Sequence, residues 1–166
     1  MNSVSFTGHR NIKCSITQLE TTLYDELEKA INQGTSDFYA GGALGFDTIA
    51  AKVVLQLRKN YRHIRLHLVL PCLPQEQCSL WSQEDRYLFD SIMTAADTVE
   101  YISEHMTKDC MKGRNKKLIE YADKCYCYYN PKRSRSGTGQ TVRMAQRKGI
   151  AIINLYSEFV DCTRNN

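Results

Sequence analysis

Asp37-Phe38-Tyr39-Ala40-Gly41-Gly42-Ala43-Leu44-Gly45-Phe46-Asp47 is the stretch that decides the fold. Its first four residues fit a short buried strand. The glycines then make a turn, and Ile49, Ala50, Val53, Val54 and Leu57 recur on one face of a helix. A strand that runs through a glycine turn straight into a helix is half of a βαβ unit. The same pattern lies on either side of it.

Before it, residues 3–7 read as a strand that ends in Thr7-Gly8-His9-Arg10. Ser15 opens a helix, with Gln18 at the spacing of a capping box, and Gly34 is placed to end it. After it, strands are expected at 66–70, 98–102, 124–129 and 150–155. Helices are expected near 79–96, 109–122 and 139–148. About six alternations of strand and helix predict an α/β fold: a Rossmann-like, doubly wound, mainly parallel sheet of about six strands with helices on both faces. The strand order expected is 3-2-1-4-5-6. Residues 1–156 read as a single domain and 157–166 as a polar C-terminal tail.

Composition agrees with one globular domain. The chain has 166 residues, 42% of them hydrophobic and 24% charged. Apolar runs are too short to cross a bilayer. The first residues enter a strand without a basic or apolar leader, so a cytoplasmic chain with no membrane partner is expected. Twenty-two basic against 18 acidic residues leave a formal charge of +4. That mild excess suits one phosphorylated ligand better than bulk nucleic acid. The seven cysteines cannot all pair, and reduced thiols are expected. Cys125 and Cys127 share one face of a strand and read as buried thiols; Cys72 and Cys78 flank a loop without a supported role. His63, His67 and His105 form no cluster, and no metal-binding spacing is present.

In doubly wound folds ligands sit beyond the carboxyl ends of the strands. Three glycine segments belong there: Thr7-Gly8, Gly41 to Asp47, and Ser136 to Gly139. Glycine lets backbone N–H groups approach a ligand, and the helix that follows adds positive potential. Arg10 suits a phosphate or carboxylate and His9 a hydrogen bond; the alternative is a surface arginine and a loop-ordering histidine. Asp47 suits a ribose hydroxyl, or it caps its helix. Gly41, Gly42 and Gly45 do not form the G-x-G-x-x-G fingerprint. Ser136, Gly137, Thr138 and Thr141 read as a phosphate cradle or a plain turn, while Lys132, Arg133 and Arg135 read as a solvated loop or as cations that help an anion into the crevice. Arg114 and Asn115 begin a helix and face either the crevice or solvent. Trp81 and Tyr87 are placed on the helix after the third strand, as core or edge packing.

These residues resemble the SLOG superfamily, which groups the DNA-processing protein DprA/Smf with the LOG proteins. The resemblance is to its YpsA-like, TGHR-containing branch. It rests on Thr7-Gly8-His9-Arg10, Gly41 to Asp47 with Ala50-Ala51, Trp81, Arg86-Tyr87, Met111 with Arg114-Asn115, and Ser136-Gly137-Thr138 with Thr141, Ala145 and Gly149. It implies a Rossmann-like domain that binds a nucleotide, NAD- or ADP-ribose-like ligand, with a homodimer as a candidate state. It also implies two alternatives: a LOG-like nucleotide N-glycoside hydrolase (phosphoribohydrolase), and DprA-like binding of single-stranded DNA. Thr141 stands where LOG enzymes carry a catalytic Glu, which leaves Asp47 as the candidate carboxylate. Lys52 stands where many YpsA-like sequences have Glu.

Overall fold

The computed structural model describes residues 2–156. The 157–166 segment, with the seventh cysteine, lies outside the described residues. The elements are β1 (Ser3–Gly8), α1 (Ile16–Asn32), β2 (Asp37–Ala40), α2 (Phe46–Arg58), β3 (Arg65–Leu70), α3 (Pro74–Gln77), α4 (Gln83–Ala95), β4 (Thr98–Tyr101), α5 (Cys110–Tyr121), β5 (Lys124–Tyr128), α6 (Gly137–Lys148) and β6 (Ala151–Asn154). A 3₁₀ turn, Pro131–Arg133, lies between β5 and α6.

All six strands are parallel, and their order is β4-β3-β2-β1-β5-β6. The α/β architecture is the one expected, but the strand order is not. β4 lies outside β3, not beside β1. Composition gives the reason. Thr98-Val99-Glu100-Tyr101 is exposed or half-buried throughout and suits an edge, whereas Cys125 to Tyr128 are buried and fill the place beside β1. α5 is therefore the long return crossover, passing over β3, β2 and β1.

Right-handed crossovers put α1, α2 and α4 on one face and α5 and α6 on the other. The two faces differ in thickness. Val4, Phe6, Phe38, Tyr126 and Tyr128 point into a large core filled by Leu19, Leu23, Leu27, Phe46 and Leu57. On the other face, Cys125 and Cys127 meet Ile119, Val142 and Ala145 in a small one. Cysteine and alanine keep this second core small. Lys148 adds a tie, donating to the carbonyls of Ile119, Glu120 and Ala122 at the end of α5. The six described cysteines are free thiols. Burial pushes Cys78 up to about 11 and Cys125 up to about 12, so these thiols stay protonated at neutral pH.

Local signals explain the helix ends. Ser15 accepts from the Gln18 N–H at 3.3 Å, and Ser82 caps α4 in the same way through Asp85. Ser82 also delays the helix expected at 79–96, which starts only at Gln83, and the connection before it holds one short helical turn, Pro74–Gln77. Trp81 falls in the connection, with its ring edge-to-face on Phe89 at 5.3 Å. Tyr87 is on α4 but 79% exposed, so it is not packing in the core. Arg114 and Asn115 lie inside α5, not at its start, and both are buried. Among the described residues no helix is long and apolar enough to cross a membrane.

Candidate functional site

The strand order reverses between β1 and β5: β1 leads outward to β2, β3 and β4, and α5 brings the chain back to β5. A crevice at the carboxyl ends of these two strands follows from that reversal. A cleft of about 500 Å³ occupies the place. Its walls come from the β1 turn, the start of α2, one face of α5, and the start of α6.

The β1 and β2 turns are interlocked. The Phe46 N–H donates to the His9 carbonyl at 3.3 Å. A Cβ on Gly8 would lie 2.4 Å from the Phe46 Cβ, so only glycine fits where β1 meets α2. His9 is tied to the opposite wall: the Asn130 N–H donates to its Nε2 at 2.9 Å. An accepting Nε2 carries no proton, so His9 is neutral with its proton on Nδ1. Burial, and then the Arg133 charge, lower its pKa from the usual value and keep it neutral.

Asp47 sits in the first turn of α2, 5% exposed, and accepts the Ala43 N–H at 3.4 Å. Burial raises its pKa to about 6, against the opposing pull of Arg114, the N–H groups of Ala43 and Gly41, and Arg10. Arg114 reaches the same place from α5. Its Nη1 donates to the Gly41 carbonyl and its Nε to Asn115 Oδ1 at 2.7 Å. Burial lowers its pKa, while the Asp47 charge favours its cation. Gly41 lies between the two: a Cβ there would be 2.8 Å from both Arg114 Nη1 and Asp47 Oδ2.

At the far wall, Ser136 caps α6, its Oγ accepting the Gly139 N–H at 3.1 Å and donating to the Arg133 carbonyl. Gly137 and Thr138, the first two residues of the helix, line the cleft, and their N–H groups have no partner within the helix. Gly139 lies behind them, where a Cβ would strike the Ser134 carbonyl at 2.3 Å.

Thr7, Gly8, His9, Arg10, Asp47, Arg114, Asn115, Ser136, Gly137 and Thr138 thus come together on one cleft. Gly41, Gly42, Gly45 and Thr141 do not line it. Gly41 carries Arg114, Gly42 packs on Leu70, and Gly45 packs on the Arg10 backbone. Thr141 is fully buried and donates to the Gly137 carbonyl at 2.9 Å. Asn11, Met111 and Leu118 line the cleft without having been singled out as ligand contacts from the sequence, and Ala43 of the second glycine segment and Arg133 of the basic loop join them. A signal existed for part of this set. Met111, Arg114, Asn115 and Leu118 stand at i, i+3, i+4 and i+7, so the two polar residues share an otherwise apolar helix face.

Asp47 is the one carboxylate among the described residues of the lining. Folded, it keeps its proton up to about pH 6; free of the fold, it releases it near 3.8. Between those values the folded chain binds the extra proton, so this group's contribution to stability falls as pH rises and is level above. Asp47→Asn removes that component. Relative to the parent, the variant should gain on the order of 2 kcal/mol between about pH 4 and pH 7 in urea denaturation. An unchanged difference at the two pH values would mean that Asp47 ionises without a burial cost.

The relatives are consistent with this architecture. The chain is 28% identical over 117 residues to the UPF0398 protein BH1768 of Halalkalibacterium halodurans, a match covering 69% of this chain and 61% of that protein. It is 25% identical over 170 residues to the UPF0398 protein BCG9842_B3730 of Bacillus cereus, covering 96% and 90%. Among solved structures, the X-ray structure of TM1055 superposes with a TM-score of 0.57 at 13% identity, over 92% of this chain and 72% of that one, a likeness of fold alone. The YspA SLOG family matches residues 5–157. That match runs from within β1 past the end of β6 and takes in every wall of the cleft: this chain belongs to the YspA SLOG family.

Proposed function

We propose that the cleft binds one phosphorylated, nucleotide-derived small molecule, and that the protein is a cytoplasmic binding or sensing domain for it. The observation that carries this reading is the convergence of an open helix N-terminus with three arginines on a cleft at the β1/β5 switch point. Phosphate belongs at the first turn of α6, where N–H groups and helix potential favour an anion. Arg10 and Arg133 are exposed and free to close on it. Asp47, Asn115 and neutral His9 offer an acceptor, an amide and a donor, a set suited to a sugar or base. Cleft volume falls in the range of small-ligand sites, roughly 300–1,000 Å³. Nucleotide, NAD- and ADP-ribose-like molecules share this chemistry.

Calorimetry against a panel of nucleotides is the test, with Gly137→Val as the diagnostic variant. A Cβ on Gly137 meets no atom within 4 Å, so the fold should tolerate it. The valine would fill the phosphate position, and affinity should fall by at least about tenfold with the melting temperature unchanged or slightly raised. Saturable binding that ignores Gly137→Val would remove the phosphate from this helix. No binding across the panel would remove the function itself.

A second reading, an N-glycosidase, is favoured by one observation: a buried carboxylate with a pKa of about 6 in the cleft. Asp47 would take a proton from water as the water oxygen bonds to the anomeric carbon and the base leaves with the glycosidic electron pair. Release of free base from a nucleoside monophosphate, abolished in Asp47→Asn, distinguishes this from binding alone.

A further inference from the structure

The cleft does not end at Arg10. This residue lines the cleft on one side and, on its other side, a groove of about 700 Å³ beneath the connection between α3 and α4. We propose that the groove is a second subsite for the same ligand, holding a flat, largely apolar group joined to the phosphate held in the cleft. The proposal rests on the phosphate reading of the cleft and extends it to a two-headed ligand.

The groove has the chemistry of a ring site. Leu44, Leu80, Trp81 and Met106 supply apolar surface, among polar residues that include the Glu76 and Asp85 carboxylates. Leu80 is 97% exposed and Met106 46%, so both keep apolar area in water with nothing among the described residues covering it. Trp81 is held edge-on by Phe89, which anchors it to the main core. A tryptophan fixed from behind is a rigid platform with little entropy left to lose when a ring lies on it.

One wall atom also lacks a partner. Gln77 Nε2 donates to the Gly42 carbonyl at 3.1 Å, which sets the amide in place. Its Oε1 is a buried acceptor with no hydrogen-bond partner among the described residues. Such an acceptor is costly unless something donates to it.

Arg10 settles how the two halves connect. A guanidinium at the junction matches a negative linker between two ring-bearing ends, and a pyrophosphate is such a linker. An uncharged lipid or peptide in the groove would leave that charge without use.

Trp81 makes the test direct, because the chain has only one tryptophan. The probes are AMP, with one head, and NAD, with two heads joined by a pyrophosphate. Both should bind by calorimetry, NAD at least about tenfold tighter, as expected from the added buried area. NAD should change Trp81 emission along the calorimetric isotherm, and AMP should not. Leu80→Glu should bring NAD affinity down about tenfold towards that of AMP and leave AMP unchanged. This position is exposed, so the variant should fold. AMP binding with NAD no tighter, or NAD binding with Trp81 emission unmoved, would overturn the second subsite and leave the cleft reading standing. Binding of neither probe would overturn both.

Discussion

Arg114→Met should destabilise the fold by about 3 kcal/mol at neutral pH, and by less in mild acid. Methionine keeps most of the volume and helix preference of arginine, so lost packing is small. What goes is the charge and its hydrogen bonds. The Gly41 carbonyl and Asn115 Oδ1 each lose a donor in a buried setting. Asp47, 5% exposed, loses the largest of the groups that favour its ionised form. With burial then less opposed, its pKa must move above about 6. The sign of the pH effect follows. Above about pH 6 the parent has already released this proton, while the variant still holds it and loses stability as it lets go. The penalty therefore grows as pH rises and shrinks towards the part due to hydrogen bonds below about pH 5. Urea denaturation of both proteins at pH 5 and 8 measures this. A penalty independent of pH would show that Arg114 acts on Gly41 alone and does not support the Asp47 charge.

Arg114 also shows what the sequence conceals. Its helix is legible from Met111, Leu118 and Ile119, but an arginine and an asparagine on a helix are ordinarily in water. They are buried here because α5 is the return crossover, and so passes over the carboxyl ends of β1 and β2. That depends on where β4 lies. Thr98 and Glu100 alternate with Val99 and Tyr101, a pattern that suits an edge strand, and weighing it would have favoured β4 outside β3 over the order 3-2-1-4-5-6. An error of one strand position thus hid the residue that organises the site.

The three glycine turns were legible because each lies between a strand and the helix that follows it. Their division of labour was not. Sequence marks where glycine occurs; only packing tells whether the missing side chain makes room for a ligand or for the protein itself. Gly137 opens on the cleft, whereas Gly8 and Gly42 make room for Phe46 and Leu70. The basic loop carries a related ambiguity. Arg133 is exposed, as a solvated loop residue should be, but the Asn130–His9 hydrogen bond brings its turn to the mouth of the cleft.

Gly45→Ala should be the most damaging small substitution in the chain, at more than about 3 kcal/mol. Two independent costs add. The residue has φ +83° and ψ −123°, where an L side chain is strained by about 1–3 kcal/mol. Its Cβ would also lie 2.4 Å from the Arg10 carbonyl oxygen and 2.5 Å from the Arg10 Cα. Those are backbone atoms, so no rotamer change relieves the contact; the β1 and β2 turns must separate. Separation strains the Phe46–His9 hydrogen bond and carries Arg10 away from both the cleft and the groove. Thermal unfolding should show a fall of roughly 10 °C. Binding, measured at low temperature where the variant is still folded, should fall as far as in Arg10→Ala. The comparison separates structure from contact. Arg10 is exposed, and Arg10→Ala keeps the backbone that Gly45 packs on, so that variant should lose affinity with its melting temperature intact. If Gly45→Ala melts early yet binds normally, the interlock of the two turns serves the fold alone, and Arg10 reaches its ligand by side-chain freedom instead of by the placement of its backbone.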